Sequence, residues 1–260
     1  MNYTFISGAT GGVGSAFALE CAKRGYNLFL TARCYDKLLD LKAKLLHYNV
    51  QIEIFDCDLT VLEKRNKMLE YIDHNGLKFE RIINVAGVDI QKPFVNYTSD
   101  KLLFQIRVNV ESTTHLTYEL LKRCAINTEI ITISSMSGVS PMPNFAVYSA
   151  SKAYLTNLFT ALHYELKDKG VKTCVVLPGA VPTRPDIIED IKGQGLWGKL
   201  SQISPENLAI KSLKAVKRNK TKFVPGFFNK LLYVFMKLAP KKLVLTFIKK
   251  RWAKQTKDAF

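Results

Sequence analysis

Tyr148 and Lys152 flank Ser149-Ala150-Ser151 in a stretch with helical apolar spacing, so both side chains leave one face. A phenol with a pKa near ~10 is a poor base at neutral pH, but an ammonium beside it favours the phenolate. Such a pair can exchange a proton with an oxygen bound next to it. The same spacing is common on ordinary amphipathic helices, where it carries no chemistry. What sets this pair apart is Ser134-Ser135, a hydroxyl pair ending the strand-like run Ile130-Ile131-Thr132-Ile133, where it can hold a substrate oxygen.

A second constellation lies near the start of the chain. Ser7-Gly8-Ala9-Thr10-Gly11-Gly12-Val13-Gly14 joins a strand-like run to an apolar helical stretch. Glycines in such a turn let backbone approach a pyrophosphate, and the amides of the helix N-terminus attract its charge. A tight turn with no ligand is the competing explanation, and the strand before and helix after weigh against it. The second strand ends in Thr31-Ala32-Arg33 with no acid to accept from a ribose 2′-hydroxyl. Arg33 suits a 2′-phosphate instead, so NADP(H) is expected over NAD(H). Asp36, three residues on, is read as a helix cap.

These residues need elements that bring them together. Strands are predicted near Tyr3–Ser7, Asn27–Thr31, Gln51–Asp56, Arg81–Asn84, Glu129–Ile133, Lys172–Leu177 and Lys222–Val224. Helices are predicted near Gly12–Arg24, Asp36–Tyr48, Val61–Asn75, Asp100–Cys124 and Ala146–Asp168. Strand and helix alternating in this way imply right-handed crossovers. The expected fold class is α/β: a single Rossmann-type domain with a doubly wound sheet of about seven parallel strands, whose ligands sit beyond the strands' carboxyl ends.

With these motifs in order, the chain resembles the short-chain dehydrogenase/reductase family over residues 1 to about 225. Ser7-Gly8-x-x-x-Gly12-x-Gly14 is similar to the family's T-G-x3-G-x-G turn, with a serine that keeps the hydroxyl. Asn84-Val85-Ala86-Gly87 resembles its N-A-A-G motif, and Ser135 precedes Tyr148 by the family spacing. The resemblance implies an enzyme moving a hydride between the cofactor and an alcohol or carbonyl carbon. Tyr148 would be acid or base, Lys152 would bind the ribose and lower the phenol pKa, Ser135 would polarise the substrate oxygen, and Asn109 would position a water in a proton relay. It implies further cofactor contacts from Thr10, Val13, Asp58, Leu59, Asn84, Ala86, Gly87, Pro178, Gly179, Val181 and Thr183. It also implies a homodimer or homotetramer built through the two long helices. The segment from Thr183 to Pro205 would cover the substrate, with Ile188, Leu196 and Trp197 lining an apolar pocket or lying on an ordinary surface.

The charge of +16 is uneven: residues 211–260 hold 15 Lys/Arg and one acid, Asp258, whereas residues 1–210 are nearly neutral. We divide the chain into residues 1–225, the dinucleotide-binding domain, and residues 226–260, a basic amphipathic helical extension. Lys230, Lys237, Lys241 and Lys242 break its apolar run below spanning length. Peripheral contact with a membrane surface and packing on the body or a second subunit both stay open. Nucleic acid is not expected, because the aromatics share the apolar stripe and no binding motif accompanies them. Five scattered cysteines without a C-x-x-C pair point to neither metal nor disulfides, and no leader-like segment precedes the first strand. A cytoplasmic location is therefore expected, with the membrane surface as an addition. Together with the apolar lid, the tail suggests a small hydrophobic substrate of lipid, acyl or steroid type. Two other functions remain in competition: a non-catalytic NADP-binding sensor and a membrane-surface scaffold.

Overall fold

The computed structural model describes residues 2–252 of the chain, without the side chains of residues 250–252. Residues 253–260 of the expected extension lie outside the described residues. Seven strands form one parallel sheet: β1 (Asn2–Ser7), β2 (Asn27–Ala32), β3 (Ile52–Asp56), β4 (Lys78–Asn84), β5 (Cys124–Ile133), β6 (Lys172–Val176) and β7 (Lys222–Phe223). Their order is β3-β2-β1-β4-β5-β6-β7, so the direction of winding reverses between β1 and β4. That reversal opens a crevice at the carboxyl ends of the two strands.

Side chains alternate across each strand and feed two cores. Ile6, Leu28, Leu30, Ile83, Ile131 and Val176 point to one face. It is covered by α1 (Gly12–Lys23), α2 (Tyr35–Leu45) and, after α7 (Pro185–Gly193) and α8 (Gly195–Ser201), by α9 (Pro205–Lys217). Phe5, Phe29, Phe79, Ile82, Ile130 and Val175 point to the other. There α3 (Leu62–His74) packs beside α5 (Ser112–Leu121) and α6 (Ala146–Glu165). Burial on both faces explains why the strands are almost continuously apolar.

Three local expectations are corrected. The stretch expected as one helix, Asp100–Cys124, is α4 (Ser99–Ile106), a π-helical turn (Arg107–Glu111) and α5. In that turn the Ser112 N–H donates to the Arg107 carbonyl, five residues back, a wider turn that leaves the apolar pattern helical. Cys124 already belongs to β5, which starts five residues before the expected Glu129. Phe79 pairs with Cys124 and Arg81 with Glu129, so an irregularity separates the two pairs. Within it Asn127 takes a positive φ of 63° and the Thr128 hydroxyl donates to the Phe79 carbonyl. Asp36 is not a cap: Cys34 holds that position without a side-chain hydrogen bond, and Asp36 lies in the first turn. There its carboxylate meets the positive end of the helix dipole.

After β7 come α10 (Phe227–Leu238) and α11 (Lys241–Trp252), separated by Ala239-Pro240. Proline removes a backbone donor and breaks the run into two helices. Among the described residues, no helix is long and apolar enough to cross a membrane. Leu232, Tyr233 and Met236 of α10 pack on the body, and Val244 and Ile248 of α11 join Met142 and Phe145 in a small core of their own.

Candidate active site

The turn after β1 is shaped by what its glycines lack. Gly8 has a φ of +65°, and a Cβ there would come within 2.9 Å of the Ala86 Cα. At Gly14 a Cβ would stand 2.1 Å from the Gly8 carbonyl oxygen, so only glycine lets α1 start against its own turn. The Ser7 hydroxyl accepts from the Val85 and Ala86 N–H groups at 3.2 and 3.3 Å, tying β1 to the loop after β4. The N-terminus of α1 has Gly11 at the cap, no side-chain cap bond and no acid in its first turn. Its first amides are thus left for an anion, and backbone and charge both fit a pyrophosphate.

Arg33 is exposed just beyond β2, with its guanidinium 6.0 Å from the Phe104 ring centroid. Asp58 follows β3 and accepts from the Thr60 N–H and hydroxyl at 3.0 and 2.7 Å. Burial raises the Asp58 carboxyl, but those two bonds, with the charges of Arg33 and Lys64, outweigh it and hold it below the usual range. Asp58, beyond β3, thus lies within range of the Arg33 charge beyond β2. The Leu59 side chain, next to Asp58, is part of the core. Asn84 is buried as well, its amide donating to Thr117 and Thr132 hydroxyls at 3.0 and 3.2 Å, so its side chain joins β4, α5 and β5.

Past the sheet's midpoint a cavity of about 360 Å³ takes in Val13, Gly87, Ser135, Tyr148, Lys152, Pro178, Gly179, Val181 and Thr183. Gly12 adjoins Thr183 so closely that a Cβ would lie 2.8 Å from the threonine Cβ, which joins the glycine turn to this chamber. Lys152 is buried and donates to the Ile133 carbonyl at 2.9 Å, with its Nζ 5.6 Å from the Tyr148 ring centroid. Phe145, just before α6, stacks on the Tyr148 ring at 4.4 Å. Ser135 accepts from the Ser137 N–H at 3.0 Å.

Burial, rather than the charge of Lys152, governs the phenol in this geometry. Burial drives Tyr148 well above its ordinary value and Asp89 adds to the rise, while a hydrogen bond from Ser135 and the charge of Arg184 pull it back in part. Lys152 is itself pushed down to about 8, by burial against the opposing pull of Asp89. Asn109, fully buried in the π turn, accepts from the Val88 N–H at 2.8 Å and donates to the Val88 carbonyl and the Ser151 hydroxyl at 2.9 and 3.0 Å. Its amide is engaged as a clamp between the loop after β4 and α6.

Two features of the chamber were not foreseen. Arg184, the residue before α7, pairs with Asp89 at 3.3 Å and with Asp186 at 3.2 Å, bridging the segment after Thr183 and the loop after β4. Burial raises the Asp89 carboxyl despite that partner. The far wall is the tail: Leu232, Met236, Val244, Phe247 and Ile248 line the cavity together with Ile187, Ile191 and Trp197. Of the three apolar residues expected there, only Trp197 lines it, packed between Phe228 and Phe247 at 4.7 and 5.5 Å. Ile188 and Leu196 point outward, 38% and 72% exposed: on α7, half-buried Ile187 and buried Ile191 share the inward face and leave Ile188 about 100° round the helix, and Leu196 stands on the outer side of α8.

A doubly wound sheet with a glycine turn at its switch point and a buried lysine beside a tyrosine defines a nucleotide-binding Rossmann oxidoreductase. Residues 2–188 match the family described as short chain dehydrogenase, and the chain belongs to that family. The very-long-chain 3-oxoacyl-CoA reductase of Kluyveromyces lactis is 31% identical over 185 residues, 67% of this chain and 54% of that protein. Hydroxysteroid dehydrogenase-like protein 1 of Gallus gallus is 30% identical over 190 residues, 70% of this chain and 56% of that one. The matched region thus spans little more than half the length of these curated relatives. A solved structure concerned with 7beta-hydroxysteroid dehydrogenase stereoselectivity has a TM-score of 0.83 at 21% identity, over 95% of this chain and 96% of that one. At that identity the likeness carries the fold alone.

Proposed function

We propose that the protein is an NADP(H)-dependent oxidoreductase acting on the alcohol or carbonyl carbon of a hydrophobic substrate. The observation that carries this reading is the single chamber in which Ser135, Tyr148 and Lys152 face an apolar wall. A relative named as a very-long-chain 3-oxoacyl-CoA reductase and one named as hydroxysteroid dehydrogenase-like support a lipid, acyl or steroid-like substrate.

The glycine turn and the open N-terminus of α1 would hold the pyrophosphate, Arg33 the 2′-phosphate, Asp58 the adenine, Lys152 the ribose and Thr183 the nicotinamide side. When bound, the cofactor supplies or accepts the hydride. Ser135 donates a hydrogen bond to the substrate oxygen, and Tyr148 gives that oxygen a proton in reduction or takes one in oxidation. Neutral phenol suits the first role, and burial keeps Tyr148 protonated across the neutral range. Lys152 keeps its place through Ile133, and Asn109 fixes the loop that carries Gly87 to the chamber. Exposed Tyr118 on α5 and Tyr154 and Tyr164 on α6 support self-association through those helices, read by sedimentation velocity.

Two measurements test the reading. Arg33→Ala should weaken NADPH binding by tens-fold or more and leave NADH nearly unchanged, since a charge-assisted phosphate contact is worth a few kcal/mol. Equal effects on both cofactors would remove the NADP assignment. A panel of long-chain 3-oxoacyl thioesters, steroid ketones and small polar carbonyls, followed by NADPH oxidation, tests the substrate class. Turnover confined to sugars would overturn the hydrophobic assignment, and tight NADPH binding with no turnover would return the protein to a sensor.

A further inference from the structure

The two faces of α10 have different environments, and both are apolar. Asn229, Leu232, Tyr233 and Met236 turn toward the body. Phe227, Leu231, Val234, Phe235 and Leu238, at i, i+4, i+7, i+8 and i+11, form a continuous outward stripe that is 47–80% exposed. Among the described residues nothing covers it. At about 100° of rotation per residue, Lys230 and Lys237 stand on the border between the two faces, roughly a quarter turn from the stripe's centre. Beyond the Pro240 break, exposed Lys241, Lys242 and Lys249 surround Leu243 and Phe247, which are 61% and 39% exposed. Residues 227–252 contain six lysines, one arginine and no acid.

This pattern selects among occupants. A second copy laid on the same face would bring lysine against lysine, and a nucleic acid would leave the apolar stripe in contact with phosphate. A lipid surface accepts the stripe at the level of the acyl chains while its headgroups meet the flanking cations. We propose that the outward face of α10, with the lysines of α10 and α11, docks on an anionic membrane surface, so that the wall of the chamber is seated against lipid. The assignment is independent of the hydride-transfer reading, because it rests on the exposed stripe and its charge.

Co-sedimentation of the full chain with vesicles of phosphatidylcholine, with and without phosphatidylserine, tests it. The protein should pellet with the phosphatidylserine vesicles, at least tenfold less with phosphatidylcholine alone, and should be released by high salt. Leu231→Glu combined with Leu238→Glu should abolish pelleting with an unchanged melting temperature, because both side chains are exposed. Hydrogen exchange should show new protection confined to residues 227–238 and the start of α11. Absence of pelleting, pelleting indifferent to the two glutamates, or protection elsewhere would overturn the proposal. So would a dimer that the glutamates dissociate in the absence of vesicles, which would assign the stripe to self-association.

Discussion

Tyr148 is constrained from several directions: Phe145 stacks on its ring, Ser135 reaches its oxygen, and Asp89 and Arg184 act on its charge with opposite sign. Tyr148→Phe removes only the hydroxyl, so turnover should fall by at least ~10³-fold while NADPH binding measured by fluorescence changes little. Asp89→Asn tests the electrostatics. Because Asp89 raises the phenol and its loss frees Arg184 to lower it further, the pH profile of substrate oxidation should move to lower pH, by ~0.5–1 unit. An unmoved profile would mean that Tyr148 is not the titrating group. That Ser135, Tyr148 and Lys152 share one cavity was legible in the sequence, because their spacing is fixed by one strand, one loop and the first turns of one helix. Asp89 and Arg184 were not, since their pairing joins positions 95 apart that no local periodicity links.

Among the elements, the π turn between α4 and α5 has the clearest consequence. It places Asn109 so that both ends of its amide engage Val88, which immediately follows Gly87. Asn109→Ala leaves the buried Val88 N–H without its partner, while the Val88 carbonyl keeps the bond from the Gln105 amide at 3.3 Å, and should destabilise the fold by about 1–3 kcal/mol. Urea denaturation measures that loss, and a change under about 0.5 kcal/mol would mean that the clamp is redundant. The order of strands and helices was readable because burial on one or both faces leaves a period in the sequence. A wide turn and a strand irregularity both preserve that period, so the turn at 107–111 and the early start of β5 escaped it. Asp36 was misread for another reason: an acid near a helix start suits a first turn as well as a cap.

On the scale of the whole molecule, parallel strands direct the glycine turn, Asn84, Ser135 and the Pro178 loop to one end, so fold and site come from the same alternation. The tail's role as a wall could not be read that way, because it depends on where α10 and α11 return to the body. Burial also sets the response to alkali. Cys21, Cys57 and Cys174 are each raised to about 12, so between pH 9 and 12 the folded chain keeps protons that the unfolded chain has lost, and stability falls. Lys152, lowered to about 8, acts oppositely between pH 8 and 10.5, where the unfolded chain holds the extra proton. Three thiols outweigh one amine, and the unfolding free energy should drop by roughly 2 kcal/mol between pH 9 and 10. Denaturant titrations at pH 8, 9 and 10 measure it, and a flat or rising trend would contradict the assignment of these buried groups.

Because α10 and α11 follow every strand in sequence, they are also made after every strand. During translation the glycine turn and the Ser–Tyr–Lys cluster emerge before the helices that close the apolar chamber. A dinucleotide bound at that turn would favour the folded sheet by mass action before α10 and α11 close the chamber's far side.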